Sequence, residues 1–406
     1  TQGYSSAASD VYKRQIQDKM GIDQDFSPRN IFYGQNKIRQ HMYCQEFTVK
    51  SVNKSRYHWI TGAFVFRQTI NRKVDLSRFT DTTRHLTNSG IPTQGIAFYH
   101  QSTLDLLQGL SCSVGLRYDY EHARCDFSKV QQPLNGNGET KSLEQFNRSL
   151  HFGQFTPRFS MQYLSSHNQL FYASVSKGYK AGGFNVSFLN NDDYLYSPEY
   201  NWNYEIGTKL SFLNNRLSAD LSLFYIDWRN QQITNTIPTV GNVIRNAGRS
   251  RNKGIEASFQ ARPTKSWMMY MNYGYTDARF VHYQKEERGI LKDYEGNYLP
   301  MVPRHTFSLT TGYSFYDICS WIDRLTLNAG VSVTGPIYWY EDNQAKQSPY
   351  ALVNLRISIN KGCFTWEVWS KNLTNTDYLS YYFVTSKAYA QKGKPITLGT
   401  SVSISL

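Results

Sequence analysis

Arginines, lysines and aromatic rings, rather than acids, bases or nucleophiles, are the residues of this sequence whose placement could do chemistry. Arg67, Lys177, Lys180, Arg249 and Arg251 fall toward one end of alternating stretches, and Trp339 and Tyr340 stand in the segment Tyr338-Trp339-Tyr340-Glu341-Asp342. Guanidinium and ammonium groups hold anions by charge and hydrogen bonds, while indole and phenol rings stack on flat conjugated groups. Each has a plainer use as well: a strand Arg pairs with a neighbouring carboxylate, and a loop Tyr or Trp packs its own loop. Catalysis has no comparable foothold. The sequence holds no HExxH, GxSxG, phosphate-binding loop, EF-hand loop or strand-borne GxGxxG. His282 near Glu286 could suggest a metal, and a solvated loop histidine is the simpler reading. A binding protein is expected, not an enzyme, with no cofactor and no metal site.

The elements that must position these residues alternate on two scales. Successive stretches of about ten residues read apolar, polar, apolar, polar, the period of a strand with one apolar face. Leu110, Cys112, Val114, Leu116 and Tyr118 oppose Ser111, Ser113, Gly115, Arg117 and Asp119. Leu217, Ala219, Leu221 and Leu223 oppose Ser218, Asp220 and Ser222, and Leu325, Leu327, Ala329, Val331 and Val333 oppose Thr326, Asn328, Gly330 and Ser332. Such runs number about fifteen, starting near residues 38–51. Short connections fall at 51–56, 103–109, 164–169, 212–216, 262–266, 314–324 and 359–363. Between them stand long ones at 74–91, 127–149, 181–201, 230–248, 277–302, 334–350 and 372–395. A soluble sandwich or propeller has no reason to put every long connection on one side, whereas a bacterial transmembrane barrel does.

Composition agrees. Aromatics make up 15% of the 406 residues, 31 of them Tyr, yet mean hydropathy is −0.55. No stretch approaches the roughly 18 apolar residues of a membrane helix. Charged residues recur in mid-strand on the polar face, as a wet or plugged lumen would have them, and aromatics such as Trp267, Trp366, Tyr118 and Tyr120 gather toward strand ends, where bilayer interfaces would lie. The net charge of +13 fits solvated loops with lipopolysaccharide phosphates as counter-ions, or a funnel for an anion. Nucleic acid is not indicated, because the cations are dispersed and no recognition motif appears. The five cysteines, Cys44, Cys112, Cys125, Cys319 and Cys363, lack metal-site spacing; a bridge between Cys319 and Cys363, both in short turns, stays open.

Several segments resemble TonB-dependent outer-membrane receptors, particularly the ferric-siderophore branch. They are Gly115-Leu116-Arg117-Tyr118-Asp119-Tyr120, Ser176-Lys177-Gly178-Tyr179-Lys180-Ala181-Gly182-Gly183-Phe184-Asn185, Asn203-Tyr204-Glu205-Ile206-Gly207-Thr208-Lys209, Asn246-Ala247-Gly248-Arg249-Ser250-Arg251-Asn252-Lys253-Gly254-Ile255-Glu256-Ala257, and Trp369-Ser370-Lys371-Asn372-Leu373-Thr374-Asn375. The resemblance implies an all-β fold, an antiparallel transmembrane β-barrel of which residues 38–406 are about the last fifteen of about twenty-two strands, with the N-terminal plug domain absent. It implies a ferric siderophore or similar anionic chelate as ligand, held at the lumen mouth by Arg67, Lys177, Lys180, Arg249, Arg251, Trp339 and Tyr340. It also implies location in the outer membrane and energy coupling to the TonB–ExbB–ExbD complex through the missing N-terminal part. A glycan, vitamin B12 or haem importer and a passive porin are the rival readings. Leu406 departs from the family's usual terminal Phe. Residues 1–15 resemble a translated adaptor scar, and 16–37 read as the remnant of an external loop.

Overall fold

Sixteen strands run back and forth in one antiparallel sheet, and each pairs with the strand before and after it in chain order. The computed structural model describes residues 5–23, 28–52, 55–237, 241–246, 248–287, 290–384 and 387–405. The strands are Ser5–Asp23 (β1), Phe32–Ser51 (β2), Tyr57–Arg78 (β3), Thr83–Leu107 (β4), Leu110–Pro133 (β5), Lys141–Leu164 (β6), Leu170–Lys180 (β7) and Glu199–Phe212 (β8). Then come Leu217–Arg229 (β9), Arg249–Ala261 (β10), Trp267–His282 (β11), His305–Cys319 (β12), Ile322–Thr334 (β13), Tyr350–Lys361 (β14), Phe364–Lys371 (β15) and Thr397–Ile404 (β16). This is the barrel-type sheet that the alternation requires, with one strand more than the sequence reading counted. The additional strand, β1, lies in residues that reading set aside, and it pairs from Ser5↔Ser51 to Asp23↔Tyr33. The segment read as a loop remnant at 16–37 is therefore mostly strand. Its polar, unpatterned composition hid it, because pairing rather than hydrophobicity makes it extended.

Hydrogen-bond register puts the apolar sets on one face. Phe171, Thr208, Leu221, Ala257, Tyr273, Phe307, Val333 and Ala351 form one unbroken cross-strand row over β7–β14. Large apolar side chains on this face stand exposed, as Leu221, Ile206 and Val114 do, which suits contact with lipid rather than water. Trp267 and Trp366 lie on it just inside short turns. Each indole donates to a threonine on the next strand, Trp267 Nε1 to Thr311 Oγ1 at 2.9 Å and Trp366 Nε1 to Thr400 Oγ1 at 2.8 Å. A ring whose N–H is satisfied this way can rest at the edge of the hydrocarbon. The inward face is polar, and aromatics there lie along the wall over glycines. Tyr172 crosses Gly207 and Phe224 crosses Gly254, where an added Cβ would come within 2.6 Å of either ring. All five cysteines are free, so no bridge joins Cys319 and Cys363.

Strand lengths differ in a way that the alternation alone did not show. A tilted crossing needs about 9–11 residues. β4, β5 and β6 have 25, 24 and 24. Much of the sequence at 74–91 and 127–149, read as long loops, is strand continuing past the membrane. The pattern changes phase where it leaves. In β5 the outward face goes from Val114, Leu116, Tyr118 and Tyr120 to His122, Arg124 and Asp126. The inward face changes the other way, from Ser113, Arg117, Asp119 and Glu121 to buried Ala123, Cys125 and Phe127. β6 inverts at the same height, since Glu121 pairs with Phe152 and His122 with His151. Below the inversion lipid is outside; above it water is outside and protein inside.

Leu221 tests the register. Leu221→Arg, in the middle of the lipid-facing row, is expected to disfavour insertion by about 2–4 kcal/mol. Ser222→Arg, facing inward beside Glu256, is expected to be mild. Urea-dependent insertion into lipid vesicles measures both, and equal effects would mean the face assignment is wrong.

Candidate ligand-binding mouth

The inward face of the tall wall β4–β6 becomes apolar above the membrane, and a loop occupies it. Residues 181–198, between β7 and β8, fold back as a small hairpin, Gly183–Phe184 against Leu195–Tyr196, with a 3-10 turn at Asn191–Tyr194. Phe184 is buried with Ala123, Cys125 and Phe127, and Val186 and Phe188 pack against them. Phe127 and Phe146 stack at 4.8 Å, and Tyr194 stacks on Phe146 at 4.6 Å. The Tyr194 hydroxyl donates to Glu144 Oε1 at 2.7 Å, so even the rim of this aromatic contact is satisfied.

Side-chain hydrogen bonds then tie each loop to the next. Asn185 is buried and behaves like a strand residue: its Nδ2 donates to Ile244 O and its Oδ1 accepts from Ile244 N, at 2.8 and 2.9 Å. Arg245 reaches Asp193 through Nε and Nη2 at 2.7 and 2.9 Å. Both belong to the hairpin Gln232–Ile237/Gly241–Asn246, which crowns β9 and β10. From the same hairpin Ile233 packs on the cluster of Ala278, Phe280, Tyr283, Tyr294 and Leu299, in and after β11. That segment is stitched to the β13–β14 loop by Tyr298 N donating to Asn343 Oδ1 at 2.7 Å and by Tyr298 stacking on Tyr338 at 5.5 Å. Trp339 meets Tyr381 edge-on at 6.4 Å, and the Tyr340 hydroxyl accepts from Val384 N at 2.7 Å. Five loops thus form one aromatic canopy leaning on the wall.

Only three of the seven residues singled out from sequence lie at this mouth. Lys180 points inward, exposed, with Nζ 3.8 Å from Glu199. Trp339 and Tyr340 hold the β13–β14 loop to the β15–β16 loop, the plainer of their two uses. The other four do not belong to the lumen. Arg67 shares its face with Tyr43, and Lys177 with Trp202. Arg249 and Arg251 share theirs with Arg229 and Asp227. All four stand on the outward side of the sheet, Lys177, Arg249 and Arg251 near its outer end and Arg67 midway along β3. Parity decides this: a residue at the upper end of a strand faces the lumen or the outside according to whether its number is even or odd, and one position separates Lys177 from inward Ser176 and Gly178. The inner wall of β5–β10 carries Asp119, Glu121, Glu205, Asp220 and Glu256 against Arg117, Arg158 and Lys209. A positively charged funnel is therefore not what this wall presents. Among the described residues no group of three His, Cys, Asp or Glu is arranged to hold a metal. The side chain of Glu286, and with it the His282–Glu286 reading, lies outside the described residues, as does Leu406. Asn185, Asp193 and Arg245, which lock the canopy, were missed. Asn185 alone had a signal, as the last residue of the segment that begins at Ser176.

The lock has a pH dependence. Arg245 hydrogen-bonded beside it holds the Asp193 carboxyl below the usual carboxylate range. A depressed carboxylate contributes stability above its unfolded pKa of about 3.9 and loses it as pH falls through the folded value. Hydrogen exchange at residues 185–196, taken relative to the intrinsic amide rate at each pH, is expected to be unchanged from pH 7 to about 4.5 and to quicken below about 3.5. Asp193→Asn is expected to quicken it at pH 7 already, by the equivalent of about 1–2 kcal/mol. Equal protection in the variant would mean that the ion pair does not hold the loop.

Comparison with known proteins agrees with this architecture. Residues 2–375 match the family model described as TonB dependent receptor-like, beta-barrel. The pesticin receptor of Yersinia pestis is 24% identical over 354 residues, which are 84% of this chain and 48% of that protein. A probable TonB-dependent siderophore receptor of Acinetobacter baumannii, PiuA, is 26% identical over 241 residues, 55% of this chain and 30% of that one. The ferric yersiniabactin uptake receptor FyuA of Yersinia pestis superposes with a TM-score of 0.82 at 18% identity, over 100% of this chain and 59% of that one. The chain spans about half the length, or less, of the curated relatives it matches. Wall, register and family model converge: the chain belongs to the TonB-dependent receptors, as part of their outer-membrane β-barrel.

Proposed function

We propose that this chain forms wall and outer mouth of a receptor that binds a ferric siderophore, or a similar anionic chelate, and imports it with energy delivered through TonB. The observation that carries the reading is the canopy. Five loops spend their aromatics and amides on one another, which makes a shaped surface over a polar lumen rather than an open pore. PiuA and FyuA, which this chain resembles, are named as receptors for a siderophore and for ferric yersiniabactin, and an aromatic mouth suits the flat rings and spread charge of an iron chelate. Lys180 would supply charge at the inner rim, and Tyr381, 43% exposed beside buried Trp339, an accessible ring. Transport needs no covalent step, and the reading assigns none.

Uptake of iron-55 chelates by cells whose sole receptor is the full-length protein carrying this chain tests it. Uptake of a hydroxamate, catecholate or mixed chelate that stops when TonB is deleted is the expected result. Uptake independent of TonB, or of no chelate in any class, would overturn it. Lys180→Gln is expected to weaken chelate binding about fivefold, a loss of about 1 kcal/mol. Trp339→Ala is expected to do more, since it unseats two loops, and to expose the β15–β16 loop to protease. Binding unaffected by both substitutions would move the site away from the canopy.

A further inference from the structure

The tall hairpin β5–β6 ends in a segment that neither the wall nor the canopy uses. Residues 134–140 read Leu-Asn-Gly-Asn-Gly-Glu-Thr, and every one from Asn135 onward is exposed. Both Asn-Gly steps of the sequence stand here, Asn135-Gly136 and Asn137-Gly138. Such a step can react with itself. The glycine nitrogen loses its proton and attacks the asparagine Cγ. The side-chain amide leaves as ammonia, taking up that proton, and a succinimide ring closes. Water then opens the ring at either carbonyl and gives aspartate or its β-linked isomer. One water enters, one ammonia leaves, and nothing is oxidised or reduced. Glycine favours the attack because no Cβ screens its nitrogen.

Sequence makes the two steps equal, and the structure separates them. Asn135 lies in a pinned turn. Leu134 N donates to Thr82 O at 2.8 Å, Gly136 N to Pro133 O at 3.1 Å, and Asn137 N to Asn135 Oδ1 at 3.1 Å. Gly136 N is the nucleophile of this step, and its proton is held on a carbonyl, which favours the protonated form. The bond to Oδ1 polarises the Asn135 amide, a gain that counts only once Gly136 N is released. Asn137 is under no such restraint. Among the described residues its side chain has no hydrogen-bond partner, and neither has Gly138 N. Gly138 stands at φ of 132°, where a glycine rests without strain.

We propose that Asn137 is a self-modification site, converted to aspartate and isoaspartate through Gly138 N while the turn spares Asn135. The product sets a second carboxylate at an apex where Glu139 is the sole charge of residues 134–140. The β-linked isomer also lengthens the main chain by one methylene. Gln131 pairs with Lys141 below the segment, so the added length is taken up within 132–140 and the wall stays as it is. A receptor held in the membrane thus gains negative charge at this apex with age and without an enzyme. The modification is independent of which chelate is carried.

Cleavage by trypsin after Lys129 and Lys141 releases residues 130–141, which contain both steps, and makes the test direct. Outer membranes holding the full-length receptor are kept for days at neutral pH and digested at mildly acidic pH. Electron-transfer fragmentation of the peptide then places each conversion and tells aspartate from isoaspartate. Conversion at Asn137 about fivefold faster than at Asn135 is expected, the factor that one hydrogen bond contributes. In the same receptor unfolded in guanidinium the two rates are expected to converge. Equal rates in the folded receptor, faster conversion at Asn135, or conversion at neither would overturn the proposal. A difference that survives unfolding would overturn it as well, by tracing the preference to local sequence and not to the turn.

Discussion

Hydrocarbon offers no water to take up a peptide hydrogen bond, and the rest of this structure depends on that. Each backbone N–H and C=O within the bilayer must find a partner in the next strand, at a cost of several kcal/mol for each failure. From strand to neighbouring strand, the simplest arrangement that meets this is the one observed, a sheet in which chain order and spatial order coincide. Tight turns follow from it on one side. Asn214 and Asn215 close the β8–β9 connection at φ of 55° and 64°, in the left-handed region that Asn tolerates. With the backbone satisfied, the side chains are free to differ between the two faces.

What they do depends on height as well as on face. Within the bilayer, apolar groups face out and polar groups face in. In β5 and β6 the relation reverses near Glu121 and Phe152, where water replaces lipid outside and loops replace solvent inside. The same pairing geometry thus serves two solvents along one strand. It also explains Cys125, which is fully buried although it stands on the face that lower down carries Arg117 and Asp119. On the shorter strands β9 and β10 the outward face changes at a comparable height, from Leu223 and Ile255 through Tyr225 to Asp227 and Arg251. The inversion and this change mark one boundary on two parts of the sheet.

The canopy solves a different problem. Long loops over a polar lumen have little apolar surface of their own to bury, so they borrow it from the wall and from one another. Phe184 and Phe188 use the inner face of β5 and β6, and Ile233 uses the cluster around Phe280. Amides do the rest: Asn185 and Asn343 each stand in for a strand by giving and taking backbone hydrogen bonds. A mouth built this way is tied together wherever two loops cross.

Alternation by itself determined the sheet, the membrane-facing registers from Leu110 to Val402 and the side on which long connections lie, because side-chain direction in a strand has a period of two whatever the strand touches. The family was legible for a related reason: segments such as Asn203–Lys209 combine a wall carboxylate, a glycine and a lipid-facing Ile at fixed parity. Three things waited for the tertiary structure. β1 had no pattern of its own and is extended because β2 pairs with it. Segments 74–91 and 127–149 read as loops because their polarity inverts, and only the packing of Phe184 on Cys125 shows which way they face. The direction of Arg67, Lys177, Arg249 and Arg251 turned on a single residue of register where the apolar alternation gives way to charge, and neighbours across the sheet carry that register on. Charge and aromaticity name the residues able to bind an anion; the pairing of strands decides which side of the sheet they face.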